Sequence, residues 1–287
     1  MEQNQRRVAA DVAAHYARDS LAEALIARLA EHGIAREAVT LDHLNALDQM
    51  HVRGHEATLE LADALAIGPG TEVLDLGAGI GGPARSFAAR CGARVTALDL
   101  TPALCEANRA LNALVGMADR ITVVEGDATE LPFDDAAFDC VTTIHASMNI
   151  ERKRSMYREA FRVLRPGGRF GFYDIVGGVA GHPEFPMPWA TRPTESFLVS
   201  PTTMRGIAEE VGFRTLLFRD LTNASREHML RQEQEAAAGK AAGRPAPLQA
   251  GDILMGRTAS DKQRNLRRAV KEARVGLTMA VFEKPAG

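Results

Sequence analysis

The sequence predicts an α/β protein: a doubly wound, Rossmann-like, mostly parallel sheet of seven strands, preceded by N-terminal helices and carrying helical insertions. Three observations predict it. From residue 72 onward short apolar runs alternate with helical patterns, the rhythm of repeated strand–helix units. The first apolar run leads straight into a glycine-rich loop, Gly77-Ala78-Gly79-Ile80-Gly81-Gly82. The chain has 287 residues, 46% of them hydrophobic, enough to bury one enlarged domain core or one domain with a small cap.

The elements follow in chain order. Residues 5–32 hold apolar positions at Val8, Val12, Leu21, Leu25, Ile26 and Leu29 and read as two helices, the second ended by Gly33. Thr40 caps a short helix reaching Leu47, and a helix from His55 to Ala66 ends at Gly68-Pro69-Gly70, a strong breaker. Glu72–Leu76 is the first strand, Pro83–Arg90 a helix and Arg94–Leu98 the second strand. Thr101 is placed as an N-cap with Pro102 at the first helical position, where a missing N–H costs nothing. That helix runs to Val115. Ile121–Glu125 and Phe138–Ile144 are strands, and Glu151–Leu164 is a helix stopped by Pro166-Gly167-Gly168. Arg169–Val176, Phe213–Asp220 and Val275–Glu283 complete the strands, with a helix over Pro201–Val211. Two segments break the alternation: a Gly- and Pro-rich stretch at 177–200, and a long polar, helical one at 222–274 with a flexible link at 236–247. The expected organisation is an N-terminal helical cap over 1–54 and a main domain over 55–287, with caps inserted at 177–200 and 222–274.

Charge and cysteine usage exclude several classes. The net charge of −3 gives no footprint for a nucleic-acid or anionic-membrane partner. The one basic cluster, Lys262–Arg268, has acidic residues beside it and reads as a solvated helix face rather than a binding patch. No stretch approaches the roughly 20 apolar residues of a membrane span, and the N-terminus lacks the apolar core of a secretory signal. Cys91, Cys105 and Cys140 are far apart, with no Cys/His pair at zinc spacing. Free thiols in a cytoplasmic protein without a metal are expected.

The loop after the first strand is where a doubly wound sheet binds its ligand. Gly77, Gly79 and Gly82 satisfy G-x-G-x-x-G, which alone is a weak dinucleotide signal. Asp75 separates the readings. A carboxylate at that strand end opposes an anionic pyrophosphate at the helix N-terminus, but suits S-adenosylmethionine (SAM), which carries a sulfonium and an ammonium. Gly77, Gly79 and Gly81 shape the loop. Asp99 ends the second strand 20 residues after Gly79, where an acid accepts from ribose hydroxyls, with Leu100 beside it. Asp127 and Ala128 follow the third strand, placed to read an adenine amino group and ring.

Taken together, these residues resemble the class I SAM-dependent methyltransferases over about residues 49–175. VLDLGAGIGG (73–82) looks like the family's first motif, EGDATELPF (125–133) the adenine segment, FDCVTTIHASMNI (138–150) the fourth-strand motif and RVLRPGGRF (162–170) the turn into the fifth strand. DQMHVRGHEATLELADAL (48–65) is similar to the lead-in of tocopherol, coclaurine and sarcosine/dimethylglycine methyltransferases. The resemblance implies transfer of a methyl group from SAM to a small-molecule acceptor through nitrogen, oxygen or carbon, with His51 and Gly54 over the methionine end of the cofactor. The likeness fades after Val176, so the substrate does not transfer with it.

Methyl transfer needs an aligned nucleophile, exclusion of water and, for some acceptors, a base. His145, after the fourth strand, and His51 are the candidate catalytic groups. His145 also serves as a candidate cofactor contact. Trp189 and Met187 in the 182–198 segment, and Tyr16 on the first helix, are candidate substrate contacts; Phe185 and Phe197 add aromatic surface. A homodimer is compatible with the polar insertion at 222–274. A nicotinamide-dependent oxidoreductase on a similar sheet and a non-catalytic SAM-binding regulator remain alternatives at this stage.

Overall fold

The computed structural model describes residues 21–243 and 247–286. Its elements run α1 (Leu21–Glu31), α2 (Leu41–Asp48), α3 (Gly54–Leu65), β1 (Glu72–Leu76), α4 (Gly82–Cys91), β2 (Arg94–Asp99), α5 (Pro102–Leu114), β3 (Ile121–Glu125) and β4 (Phe138–Ile144). There follow α6 (Lys153–Val163), β5 (Leu164–Gly177), α7 (Pro201–Val211), β6 (Arg214–Asp220), α8 (Thr222–Ala241), α9 (Gly251–Met255), α10 (Ala259–Lys271) and β7 (Val275–Glu283).

Seven strands form one sheet in the order β3-β2-β1-β4-β5-β7-β6. The first five are parallel, and β7 runs antiparallel between β5 and β6. Strand order reverses between β1 and β4, which places the ligand crevice beyond the carboxyl ends of those strands. Both faces are covered. One core joins α3, α4 and α10 to the sheet through Leu61, Phe87, Val73, Leu266 and Met279; the other joins α6 and α7 through Tyr157, Met204, Phe170 and Phe282. A third cluster ties α1 and α2 to α5 and α9 through Leu25, Leu47, Leu111 and Leu254. The N-terminal helices and the late insertion therefore share one apolar contact.

Local chemistry explains the boundaries. The Thr40 hydroxyl accepts from His43 N while His43 Nδ1 accepts from Thr40 N, a reciprocal cap that starts α2. Ser200 caps α7 through Thr203 N at 3.1 Å. Three expectations are corrected. Thr101 occupies the N-cap position of α5, but its side chain makes no capping bond; its own N–H is held instead by Asp99. The α6 helix ends at Val163, before Pro166, and β5 begins at Leu164. Gly168 there has no room for a side chain, since a Cβ would lie 2.8 Å from Arg165 O and 2.9 Å from Asp139 O. The expected flexible link at 236–247 is helical as far as Ala241, because its alanines are the strongest helix formers. The helix expected before residue 21, with Val8, Val12 and Tyr16, lies outside the described residues.

Candidate active site

A cavity of about 1100 Å³ opens beyond the carboxyl ends of β1, β2, β3 and β4. Its floor is the loop after β1. Gly77 and Gly79 adopt φ of +72° and +54°, conformations that strain any residue with a Cβ. A Cβ on Gly77 would sit 2.4 Å from Ala146 Cβ, whereas one on Gly79 would meet open space. Gly77 therefore lets two loops approach, and Gly79 faces the cavity with its backbone.

Asp99 ends β2 inside this floor. Its Oδ2 accepts from Gly79 N at 2.8 Å and its Oδ1 from Thr101 N at 2.9 Å. Burial raises its pKa and the two backbone N–H groups oppose that. Leu100, Asp127 and Ala128 line the same side. Asp127 accepts from Thr129 N at 2.7 Å and faces Arg152 Nη2 at 3.4 Å.

Asp75 sits beneath the loop, 1% exposed, rather than in the cavity wall. Thr142 Oγ1 donates to its Oδ1 at 2.8 Å, and its Oδ2 has no partner among the described residues. Burial pushes this carboxyl up to about 7. Three further expected contacts also lie outside the wall. Gly81 packs on α5, where a Cβ would meet Asn108 Oδ1 at 2.2 Å. Gly54 starts α3 and bonds the His51 ring through its carbonyl. Met187 is fully buried in the core and bridges Ala190 backbone to backbone, while its neighbour Trp189 does reach the cavity.

Two histidines stand where the floor meets the rest of the cavity. His145 follows β4 with φ of +49°, a strained setting that clusters at functional sites. Its N–H donates to Tyr173 O, its ring lies 5.2 Å from the Tyr173 ring, and its Nε2 is buried without a partner among the described residues. His51 Nε2 lies 2.8 Å from Gly54 O and 3.0 Å from Thr58 Oγ1. The carbonyl only accepts, so Nε2 carries the proton and Nδ1 keeps its lone pair. Burial lowers His51 to about 4, and burial with His51 nearby lowers His145 well below the usual imidazole value. Both rings are neutral near pH 7.

Sequence reasoning missed the supports. Asp48 Oδ2 and Arg85 Nη2 form a fully buried pair at 2.7 Å, and Arg85 Nη2 also donates to Ile80 O at 2.6 Å. This ties α2 to the glycine loop. Lys153 Nζ donates to Ser147 O at 2.9 Å, Ile150 O at 2.8 Å and Phe197 O, pinning the 177–200 segment to the loop after β4. The Tyr173 hydroxyl and Ser225 Oγ are 3.1 Å apart, joining β5 to α8. For Lys153 the signal was a polar residue at the head of an otherwise apolar stripe, Met156, Tyr157, Ala160 and Val163. Burial pushes the Cys105 and Cys140 thiols up to about 11, which disfavours the thiolate form near neutral pH.

The described residues suit a cationic nucleoside ligand: an unpaired buried carboxylate oxygen at Asp75, a second acid at Asp99 and an open backbone at Gly79. Comparison with known proteins agrees. Residues 74–172 match the family model described as a methyltransferase domain. Fold, loop and matched segment make residues 74–172 similar to a methyltransferase domain. The chain is 40% identical over 116 residues to a sterol 24-C-methyltransferase of Yarrowia lipolytica, covering 40% of this chain and 30% of that protein. It is 36% identical over 170 residues to a sarcosine/dimethylglycine N-methyltransferase of Aphanothece halophytica, covering 59% and 61%. The chain thus spans less than two thirds of either relative. Its fold superposes on a geranyl diphosphate C-methyltransferase of Streptomyces coelicolor A3(2), solved with S-adenosyl-L-homocysteine, at a TM-score of 0.69, with 15% identity and coverage of 96% and 98%. No described helix is long and apolar enough to cross a membrane.

Proposed function

We propose that the protein transfers a methyl group from SAM to a small-molecule acceptor. The observation that carries this reading is the pair of neutral histidines, His51 buried and His145 half-buried, at the junction between the glycine-loop floor and the remaining cavity. When bound, SAM supplies a methyl carbon activated by a positively charged sulfur. Asp99 and the Gly77–Gly79 backbone hold the nucleoside end, with Asp127 and Ala128 at the base. Asp75 offsets the ligand's positive charge from below.

His145 and His51 act at the acceptor. Protonated rings would repel a cationic donor, and burial keeps them unprotonated. His145 Nε2 orients the acceptor atom and takes its proton where there is one to lose. His51 Nδ1 is a second acceptor of hydrogen bonds. The cover of the site excludes water: α2 from one side, residues 188–197 from another, and α8–α10 from a third. On this reading residues 1–54 form a cap and 55–287 the methyltransferase domain. The free cysteines suit a cytoplasmic setting.

The test combines binding and turnover. SAM and S-adenosylhomocysteine raise the melting temperature and NADH does not, and labelled SAM is consumed with members of a panel of amines, phenols, thiols and carbon acids. Stabilisation by NADH alone overturns the reading.

A further inference from the structure

Helix α10 buries Lys262, Leu266, Ala269 and Val270 along one stripe. The spacing is that of a core-facing helix, yet its first position is a lysine. Lys262 is only 4% exposed, and it lines the cavity. A charged residue at an apolar position marks a site where local rules yield to function. In the sequence this residue belonged to a basic cluster read as a solvated face. That reading holds for Arg264 and Arg268, which are exposed and pair with Asp261 and Glu272; Arg267 is half-buried and pairs with Glu233. It does not hold for Lys262.

Among the described residues four cationic side chains line the cavity: Arg53, Arg192, Lys262 and Arg267. Three are neutralised. Arg53 pairs with Glu56 and Glu60, Arg192 with Glu195, and Arg267 with Glu233. Among the described residues Lys262 has no carboxylate within ion-pair distance. Its Nζ donates to one carbonyl, Met255 O, at 3.2 Å. An ammonium has three N–H groups, so two remain to be used. A buried charge is stable when it is paired.

We propose, resting on the methyltransferase reading, that Lys262 binds a carboxylate on the methyl acceptor. The acceptor is then an organic acid whose apolar body lies along Trp189, Phe197, Leu254 and Leu266, which line the same cavity. A monoanion fits better than a phosphate. The negative field of Glu195 reaches Lys262, and a second negative charge on the ligand would meet that field unpaired. Burial lowers the Lys262 pKa, so an arriving carboxylate also relieves the cost of holding the cation.

The single tryptophan of the chain, Trp189, is in the cavity wall and reports ligand arrival by its fluorescence. The protein, saturated with S-adenosylhomocysteine, is titrated with N,N-dimethylglycine, phenylacetate and octanoate, and with the primary amide of each. At least one acid is expected to bind about tenfold or more tighter than its amide, the scale of one charge-assisted hydrogen bond. Lys262→Met and Lys262→Gln remove that preference and Lys262→Arg retains it. All three keep their affinity for S-adenosylhomocysteine within about twofold, a change worth less than RT. A lysine that only caps the end of α9 through Met255 O would leave the acid-to-amide ratio unmoved. Equal binding of every acid and its amide, or a preference that survives Lys262→Met, overturns the proposal. Tighter binding of the matching phosphonates overturns the choice of a monoanion. Failure of S-adenosylhomocysteine to bind overturns the methyltransferase reading itself, and is seen before any acid is added.

Discussion

The imidazoles of His51 and His145 meet edge to face, 5.8 Å between ring centres with their planes at 64°. Tyr173 packs against both, at 6.2 and 5.2 Å. The three rings come from the lead-in to α3, the end of β4 and the middle of β5. Because each ring packs against the other two, removing one is expected to shift the others.

The two histidines separate in their effects. His145→Ala lowers kcat by about 100-fold or more, within the usual contribution of a positioned acid–base group, while affinity for S-adenosylhomocysteine changes by about threefold or less, under 1 kcal/mol. Calorimetry and steady-state kinetics check it. Equal losses in both would make His145 part of the cofactor wall instead. His51→Ala costs stability as well, because it leaves Gly54 O and Thr58 Oγ1 without their ring partner.

Asp99→Ala weakens SAM binding by about 2–4 kcal/mol, the loss of two hydrogen bonds to a charged acceptor. Since the same carboxylate holds Gly79 N and Thr101 N, loop geometry is lost along with the ribose contact. Asp99→Asn therefore does not restore binding: its NH₂ group faces a backbone N–H donor. Unchanged affinity in either variant would remove Asp99 from the site.

Asp75 is expected to couple ligand affinity and stability to pH. Its folded pKa is about 7, raised by burial above the ordinary carboxylate value, so the folded chain binds a proton that the unfolded chain does not between about pH 4 and 7. Stability from this group is present at low pH and declines as pH rises through that window. Asp75→Asn, which mimics the protonated form, removes the decline; urea melts at pH 5 and 8 measure it. A cationic ligand favours the ionised form, so wild-type affinity for SAM rises from pH 6 to 8 more steeply than affinity for the uncharged-sulfur product. Identical slopes for the two ligands would show that Asp75 does not sense the sulfonium.

Asp48→Ala strands the Arg85 guanidinium in a site where both partners are 1–3% exposed. Breaking a buried pair on one side costs about 3–5 kcal/mol. Arg85 also holds Ile80 O in the glycine loop, so cofactor affinity falls together with the denaturation midpoint. A stability loss with unchanged cofactor affinity would make the pair a purely structural clasp.

The sheet was legible because its strands are short apolar runs ending in turn residues: β1, β3, β4 and β7 have the bounds the pattern predicts. The placement of Gly77, Gly79, Asp99 and Asp127 along one side of the cavity was legible for the same reason, since they stand at or after the ends of the strands. Less legible was anything set by long-range packing. Met187 and Trp189 are two residues apart and equally apolar, yet only the tertiary structure turns one into the core and the other into the cavity. Lys262 was misread because helical spacing shows which residues share a face, not which face is buried. Asp75 reads in the sequence as a carboxylate beside the loop; its place beneath the loop depends on the bond from Thr142 on the neighbouring strand.

The long insertion leaves the sheet from β6 and returns through β7, two strands that are hydrogen-bonded neighbours. Its ends are therefore held together by the sheet, whatever lies between them. Lengthening such a closed excursion costs only about 0.6 kcal/mol per doubling. The sheet can therefore tolerate a change in the length of this interval without disturbing the strands on either side of it.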